Sequence, residues 1–393
     1  MRPVLACCLL LCLVPGLAAA AALHGHFKSL NLSRQARAEE PAARLSANSL
    51  RLDLSGAAPA AAAVWQLSLD QLALYRHPRG AVPVPDFSEN RLAGLAWNGS
   101  ENSALAWQLQ VDRLSLQWQR NAALVTLGRQ AIGFGRIGLF SPLDIIAPFA
   151  PTALDSEVRP GVDALRAQCF FAVVGEAAAT LVFGDGADRS SALVDVTMNA
   201  GQVDFLFIGG RLRDRPMAGI GLAGQLGGLG WKGEWAGYRG SRAGSAGGDL
   251  YRRFSIAAVE LEYRFPLDPI LQVQYLYNGT GADRPRDYPL VARSAPLREG
   301  VSFLSGKHYL LSGLSRNLTP LVALSGLLIV NLEDDSWLFR PTSALSLADN
   351  VSLEIFWSFH QGRGPVRIAG VPVPRSEFGS LGASGGLFLK LYF

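Results

Sequence analysis

Histidine, cysteine and glycine patterns are where chemistry would show first. His24 and His26 lie two residues apart, so on an extended strand they share a face and could pair on a metal ion, while His308 and His360 lie near Ser312 and Ser358. A serine hydrolase presents its nucleophile on a sharp strand-to-helix turn, and a Ser–His pairing between strands cannot be read from spacing. Cys7, Cys8 and Cys12 crowd the N-terminus and leave Cys169 alone, which excludes an internal disulfide or a thiolate cluster in the rest of the chain. On a strand, Cys169 reads as a small apolar residue. No Cys-x-x-Cys-His occurs, so covalent haem is excluded. Gly219, Gly221 and Gly224 spell a dinucleotide fingerprint, but inside a strand pattern rather than between a strand and a helix. No catalytic residue, metal ligand or cofactor is assigned.

One segment gathers charge in an unusual setting. Arg136, Asp144, Asp155, Glu157 and Arg159 stand among Phe140, Pro142, Ile145, Ile146, Pro148, Phe149 and Pro151. A solvated loop is seldom so apolar. Folded back into a lumen, the segment 133–160 would bury those residues and leave the five charges to line a constriction. Capping an outer mouth instead, it would leave them facing water.

The elements that must position such a segment are strands. Val351, Leu353, Ile355, Trp357 and Phe359 alternate with Ser352, Glu354, Phe356 and Ser358, and the same period of two recurs over 105–112, 259–265 and 271–278. About 18 such runs (16–18) fill the chain after the leader. Long connections fall at 77–102, 133–160, 240–249, 280–303 and 363–377, all on odd-numbered joins, whereas even joins are tight turns such as 120–122, 199–201, 266–268 and 317–319. Short turns at one end and long loops at the other predict an all-β fold: a transmembrane antiparallel up-and-down β-barrel. At that strand number the lumen is wide enough for water.

Composition agrees. The chain is 49% hydrophobic and 17% charged, and alternating lipid-facing positions spread apolar content over many short strands. Its formal charge of +4 is carried almost wholly by arginine, with lysine only at 28, 232, 307 and 390. No basic stripe with interleaved aromatics is present, so nucleic acid is not expected as a partner. Arg2, the apolar run 4–17 and the small residues 18–22 read as a cleaved signal peptide over 1–22, leaving a single domain, 23–393.

Two segments resemble known proteins. The last residues alternate Leu387, Leu389, Leu391 and Phe393 with Lys390 and Tyr392. With Gly386 they resemble the terminal strand by which the barrel-insertion machinery recognises Gram-negative outer-membrane proteins, so Gly386, Leu389, Leu391 and Phe393 are the expected insertion signal. From Gly128, the stretch GRQAIGFGRIGLFSPLDIIAPFAPTALDSEVRPGVDALR looks like a segment of porin-like barrels of proteobacteria, including sheaths of porin-cytochrome electron conduits. The resemblance implies an outer-membrane pore for small solutes. Its alternative is a sheath holding a periplasmic or extracellular multihaem cytochrome. Outer-membrane lipid is the surrounding partner in both cases.

Overall fold

The computed structural model describes residues 21–37, 41–58, 62–78, 90–99, 104–172, 174–241, 243–244, 247–266 and 268–393. The leader expected over 1–22 lies almost wholly outside them. The strands, in order, are β1 (Ala22–Arg34), β2 (Ala43–Ala58), β3 (Ala63–His77), β4 (Ala96–Gly99), β5 (Leu105–Arg120), β6 (Ala123–Gln130), β7 (Val162–Phe171), β8 (Gly175–Gly184), β9 (Gly186–Ala200), β10 (Val203–Leu212) and β11 (Arg215–Leu226). They continue as β12 (Leu229–Arg239), β13 (Arg253–Arg264), β14 (Ile270–Asn278), β15 (His308–Thr319), β16 (Val322–Asn331), β17 (Ser336–Ala348), β18 (Val351–Gln361), β19 (Val366–Ile368), β20 (Val371–Val373) and β21 (Ser384–Tyr392).

Setting aside the short β4, β19 and β20, eighteen strands pair antiparallel with their neighbours, and β21 returns to β1 in register from His26↔Tyr392 to Arg34↔Ser384. The sheet therefore has no free edge, as a bilayer requires of strands that cross it. β1 begins and β21 ends at the end of the short turns, such as 121–122, 201–202 and 349–350. The alternation has the expected consequence: Trp107, Leu116, Phe207, Trp235, Val259, Tyr275, Leu314 and Leu387 project outward and are exposed. So large a continuous apolar exterior is stable only against lipid. No described helix is long and apolar enough to cross a membrane, which says nothing about strands.

Three features inside the long connections lie beyond strand alternation. β19 and β20 form a small hairpin in 362–383, and two short helices in 279–307, α1 (Tyr288–Ala292) and α2 (Ala295–Arg298), each carry a proline in the first turn. The third is β4. β6 ends at Gln130, opposite the middle of β5, leaving the upper half of β5 without a partner on that side; β4 pairs there, Ala96↔Gln110 to Gly99↔Trp107.

Candidate functional site

Where β6 ends, the chain turns inward. On β12, β13 and β14 the side chains of Glu234, Glu260 and Gln274 are at most 4% exposed and alternate with the exposed Trp235, Val259 and Tyr275. They therefore point away from lipid, into the barrel. Glu234 accepts hydrogen bonds from the backbone N–H groups of Arg136 (2.7 Å), Ile137 (3.1 Å) and Leu143 (3.2 Å) and from the Ser141 hydroxyl. Glu260 accepts from the N–H of Gly138 at 3.0 Å, and Gln274 both accepts from Phe140 N–H and donates to its carbonyl. Irregular backbone has no neighbouring strand to satisfy it, and buried N–H groups need acceptors. These wall side chains supply them.

Apolar packing follows the same path. Ile132, Phe134, Ile137, Phe140, Leu143, Ile145 and Ile146 are all buried and join one cluster with Leu193, Leu206, Ile208, Met217, Ile256, Leu276, Leu311, Ile329 and Leu338 of the wall. Each such side chain removed from water contributes roughly 1.5–3 kcal/mol. The inner face of β9 to β17 is thus a seat for the segment. The inner face of β2, β3 and β5 is instead polar: Arg51 pairs with Asp53, Asp70 and Asp112 at 2.9–3.0 Å, and Asp112 also takes Arg91 and Arg113.

The five charges singled out from the sequence all find partners, in three places. Arg136 faces Asp204 of β10 at 3.4 Å. Asp144 and Arg159 pair with each other at 2.7 Å, and Arg159 also donates to the Ala147 carbonyl, bracing the segment against itself. Burial outweighs that pairing and pushes the Asp144 carboxyl above its ordinary range. Asp155 and Glu157 reach the joint between the first and last strands. Lys28 of β1 holds Asp155 at 2.8 Å and Glu157 at 2.7 Å, and Lys390 of β21 holds Glu157 at 2.6 Å. Burial opposes ionisation of Glu157, but hydrogen bonds from Lys28, Lys390 and Tyr392 prevail and hold its pKa down at about 2.

Lys28, Lys390, Glu234, Glu260, Gln274 and Arg340, which donates to the Thr152 and Ala153 carbonyls, are the anchoring residues that sequence reasoning missed. Their only signal was a charged or amide side chain at an inward strand position, which most barrel strands carry. Among the described residues, one cavity opens beside the segment and another against the wall where the segment starts. One of about 510 Å³ lies between it and β14 to β17, lined by Phe149, Arg159, Gln272, Ser315, Arg340 and Thr342 among others. A second, of about 410 Å³, is bounded by Gln66, Arg113, Gln117, Gln130, Arg166 and Glu176.

Other sequence signals land in the wall. Gly382, Ser384 and Gly386 do spell the nucleophile-elbow motif, but Ser384 opens β21, paired with Arg34 and Ser358, so the strand-to-helix turn that motif needs is missing. The glycines from Gly219 to Gly224 lie within β11. Leu389 and Leu391 face outward, whereas Gly386 falls on the other face, where a Cβ would lie 2.0 Å from the Asn31 carbonyl oxygen. The backbone N–H of Phe393 donates to Gly25, whose own N–H donates back.

No protein-family model and no curated protein matches the sequence. Solved structures do match. OccAB1 of Acinetobacter baumannii is 12% identical with a TM-score of 0.59, over 97% of this chain and 98% of that one. OpdQ of Pseudomonas aeruginosa is 9% identical at 0.58, over 95% and 99%. OccK2 (OpdF) of Pseudomonas aeruginosa, solved in complex with glucuronate, is 12% identical at 0.57, over 96% and 99%. At these identities what is shared is the fold, a closed membrane barrel that takes up nearly the whole of both chains.

Proposed function

We propose that this chain is an outer-membrane pore through which small polar solutes pass beside the inward segment, which constricts the lumen. The observation that carries the reading is the division of the interior: the segment packs its apolar side chains against the wall from β9 to β17, while a cavity of about 510 Å³ remains along its flank and a polar one of about 410 Å³ is bounded by β3 and β5 to β8. No enzymatic role is assigned. The OccK2 complex with glucuronate supports a small polar solute as the kind of cargo. A cytochrome sheath has no support, because the segment's bonds to three wall strands fill the space a threaded protein would need.

The test replaces residues Gly138 to Asp155 by a short Gly-Ser linker and records single-channel currents in planar bilayers. A higher conductance in a normally folded variant is the expected result. An unchanged current means that the segment does not limit passage, and absence of current in both proteins means a plugged barrel.

A further inference from the structure

One patch of the outer face departs from the rest. In the pairing of β1 with β2 and β21, Phe27, Leu50 and Leu391 share the outward side, and Lys28, Arg51 and Lys390 the inward one. Parity then places Ser29, Asn31 and Ser33 of β1, together with Ser46 and Asn48 of β2, on the outward side, and Gln71 of β3 beside Leu50. Across β9 to β18 the outward positions in mid-strand are apolar apart from single serines at 255, 312 and 343. Asn31 lies level with Leu387 and Ser29 with Leu389, so the patch stands roughly 10–20 Å above the level of Phe393, in the middle of the hydrocarbon. The two amides make only marginal bonds, Asn31 to Ser29 at 3.3 Å and Asn48 to Ser46 at 3.4 Å. Hydrocarbon offers them nothing further.

We propose that this patch is the contact face of a homodimer with its two-fold axis along the membrane normal. The proposal rests on placement in a membrane, not on what the pore conducts. An axis in that direction returns every residue at its own height, so mid-height polar groups can meet only mid-height groups of the second copy. On the far arc those are apolar but for the isolated serines; on the same patch, level with Asn31 and Asn48, they are amides and hydroxyls, and Arg44 stands beside Ser33 two residues nearer the loop end. Asparagine carries both donors and acceptors, so identical patches satisfy one another across a two-fold axis. The outer wall is also hollowed there: a groove of about 540 Å³ opens between Tyr75 and Trp357 above Ser33, Ser46 and Gly385, and it can take a partner's side chain at the same level.

The test works in outer membranes, on a chain whose Cys169 is replaced by serine. Asn31→Cys, given a short bismaleimide, should yield a product of twice the chain's mass, and Ile220→Cys, outward on the opposite wall, should not. Independently, the Asn31→Leu/Asn48→Leu protein, whose leucines suit lipid, should fold and dissociate in detergent with a dimer Kd raised roughly tenfold or more. Any of four results overturns the proposal: only monomer from folded Asn31→Cys, equal cross-linking at position 220, a product of three chains or of foreign mass, or wild-type protein that sediments as a monomer.

Discussion

Replacing Glu157 by glutamine probes the inward segment at its deepest anchor. The carboxylate is held by Lys28 at 2.7 Å, Lys390 at 2.6 Å and the Tyr392 hydroxyl at 2.7 Å. Stripping one partner from a fully buried pair costs roughly 3–5 kcal/mol. Here Glu157 is 39% exposed, and each lysine keeps a second carboxylate, Asp155 for Lys28 and Glu354 for Lys390. Solvent screening and those remaining partners leave about 1–2 kcal/mol, which multiplies the detached population roughly 5- to 30-fold. Single-channel records should show current fluctuations more frequent by that factor, with ion selectivity moved toward anions by the loss of one negative charge. The pH response carries a sign. A carboxyl whose pKa is held down at about 2 stabilises the anchored state fully above its ordinary value of 4.5, and loses that contribution as pH falls toward 2. Wild-type channels should therefore be quiet at neutral pH and grow noisy below about pH 4.5, while the glutamine variant is noisy throughout. A variant that matches wild type at neutral pH and also keeps its acid response would refute the anchor.

Three further outcomes are expected. Glu234→Ala should leave the N–H groups of Arg136 and Ile137 without their acceptor and that of Leu143 with Ser141 Oγ alone at 3.3 Å, at roughly 1–3 kcal/mol for each group left unpaired; a lower unfolding temperature by calorimetry, with Glu234→Gln intermediate, is the readout, and an unchanged one would argue against the contact. Deleting Phe393 removes its paired bonds with Gly25 and the aromatic end of the last strand, so less heat-modifiable barrel should accumulate in the outer membrane; equal amounts would discount its role in insertion. An epitope placed after Asp283, in the connection that carries α1 and α2, should bind antibody on intact cells, and labelling only after the membrane is opened would reverse the orientation.

The wall was legible because lipid outside and an interior of different character inside impose a period of two on every strand. Thus Val351, Leu353 and Ile355 pair outward with Leu391, Leu389 and Leu387. The inward segment announced itself through Phe140, Ile145 and Ile146, too apolar for water. What holds it was hidden. Glu234 and Glu260 occupy ordinary inward positions, and only the register of β12 against β13 sets two carboxylates beneath the backbone of 136–143. Lys28 and Lys390 stand near opposite ends of the sequence and become neighbours only when the barrel closes. β4 is four residues long and exists because β6 leaves the edge of β5 early, a vacancy that no local pattern reports. The same three-dimensional pairing gives each of the five charges a partner in the wall or in the segment itself, which spacing along the chain does not report.

Lys28 and Lys390 lie directly opposite one another on the two strands whose pairing closes the wall. Like charges so placed repel, and Glu157, bonded to both, cancels that repulsion from inside. The clasp of the barrel and the obstacle in its bore are therefore one part. If the deep end swung aside for a bulky solute, two neighbouring ammonium groups would lose their shared counter-charge at the joint that closes the wall. On the proposed reading as a pore, a barrel built this way has a fixed calibre at neutral pH, and side-chain replacement along the segment, rather than a moving lid, is the route by which its bore can be retuned.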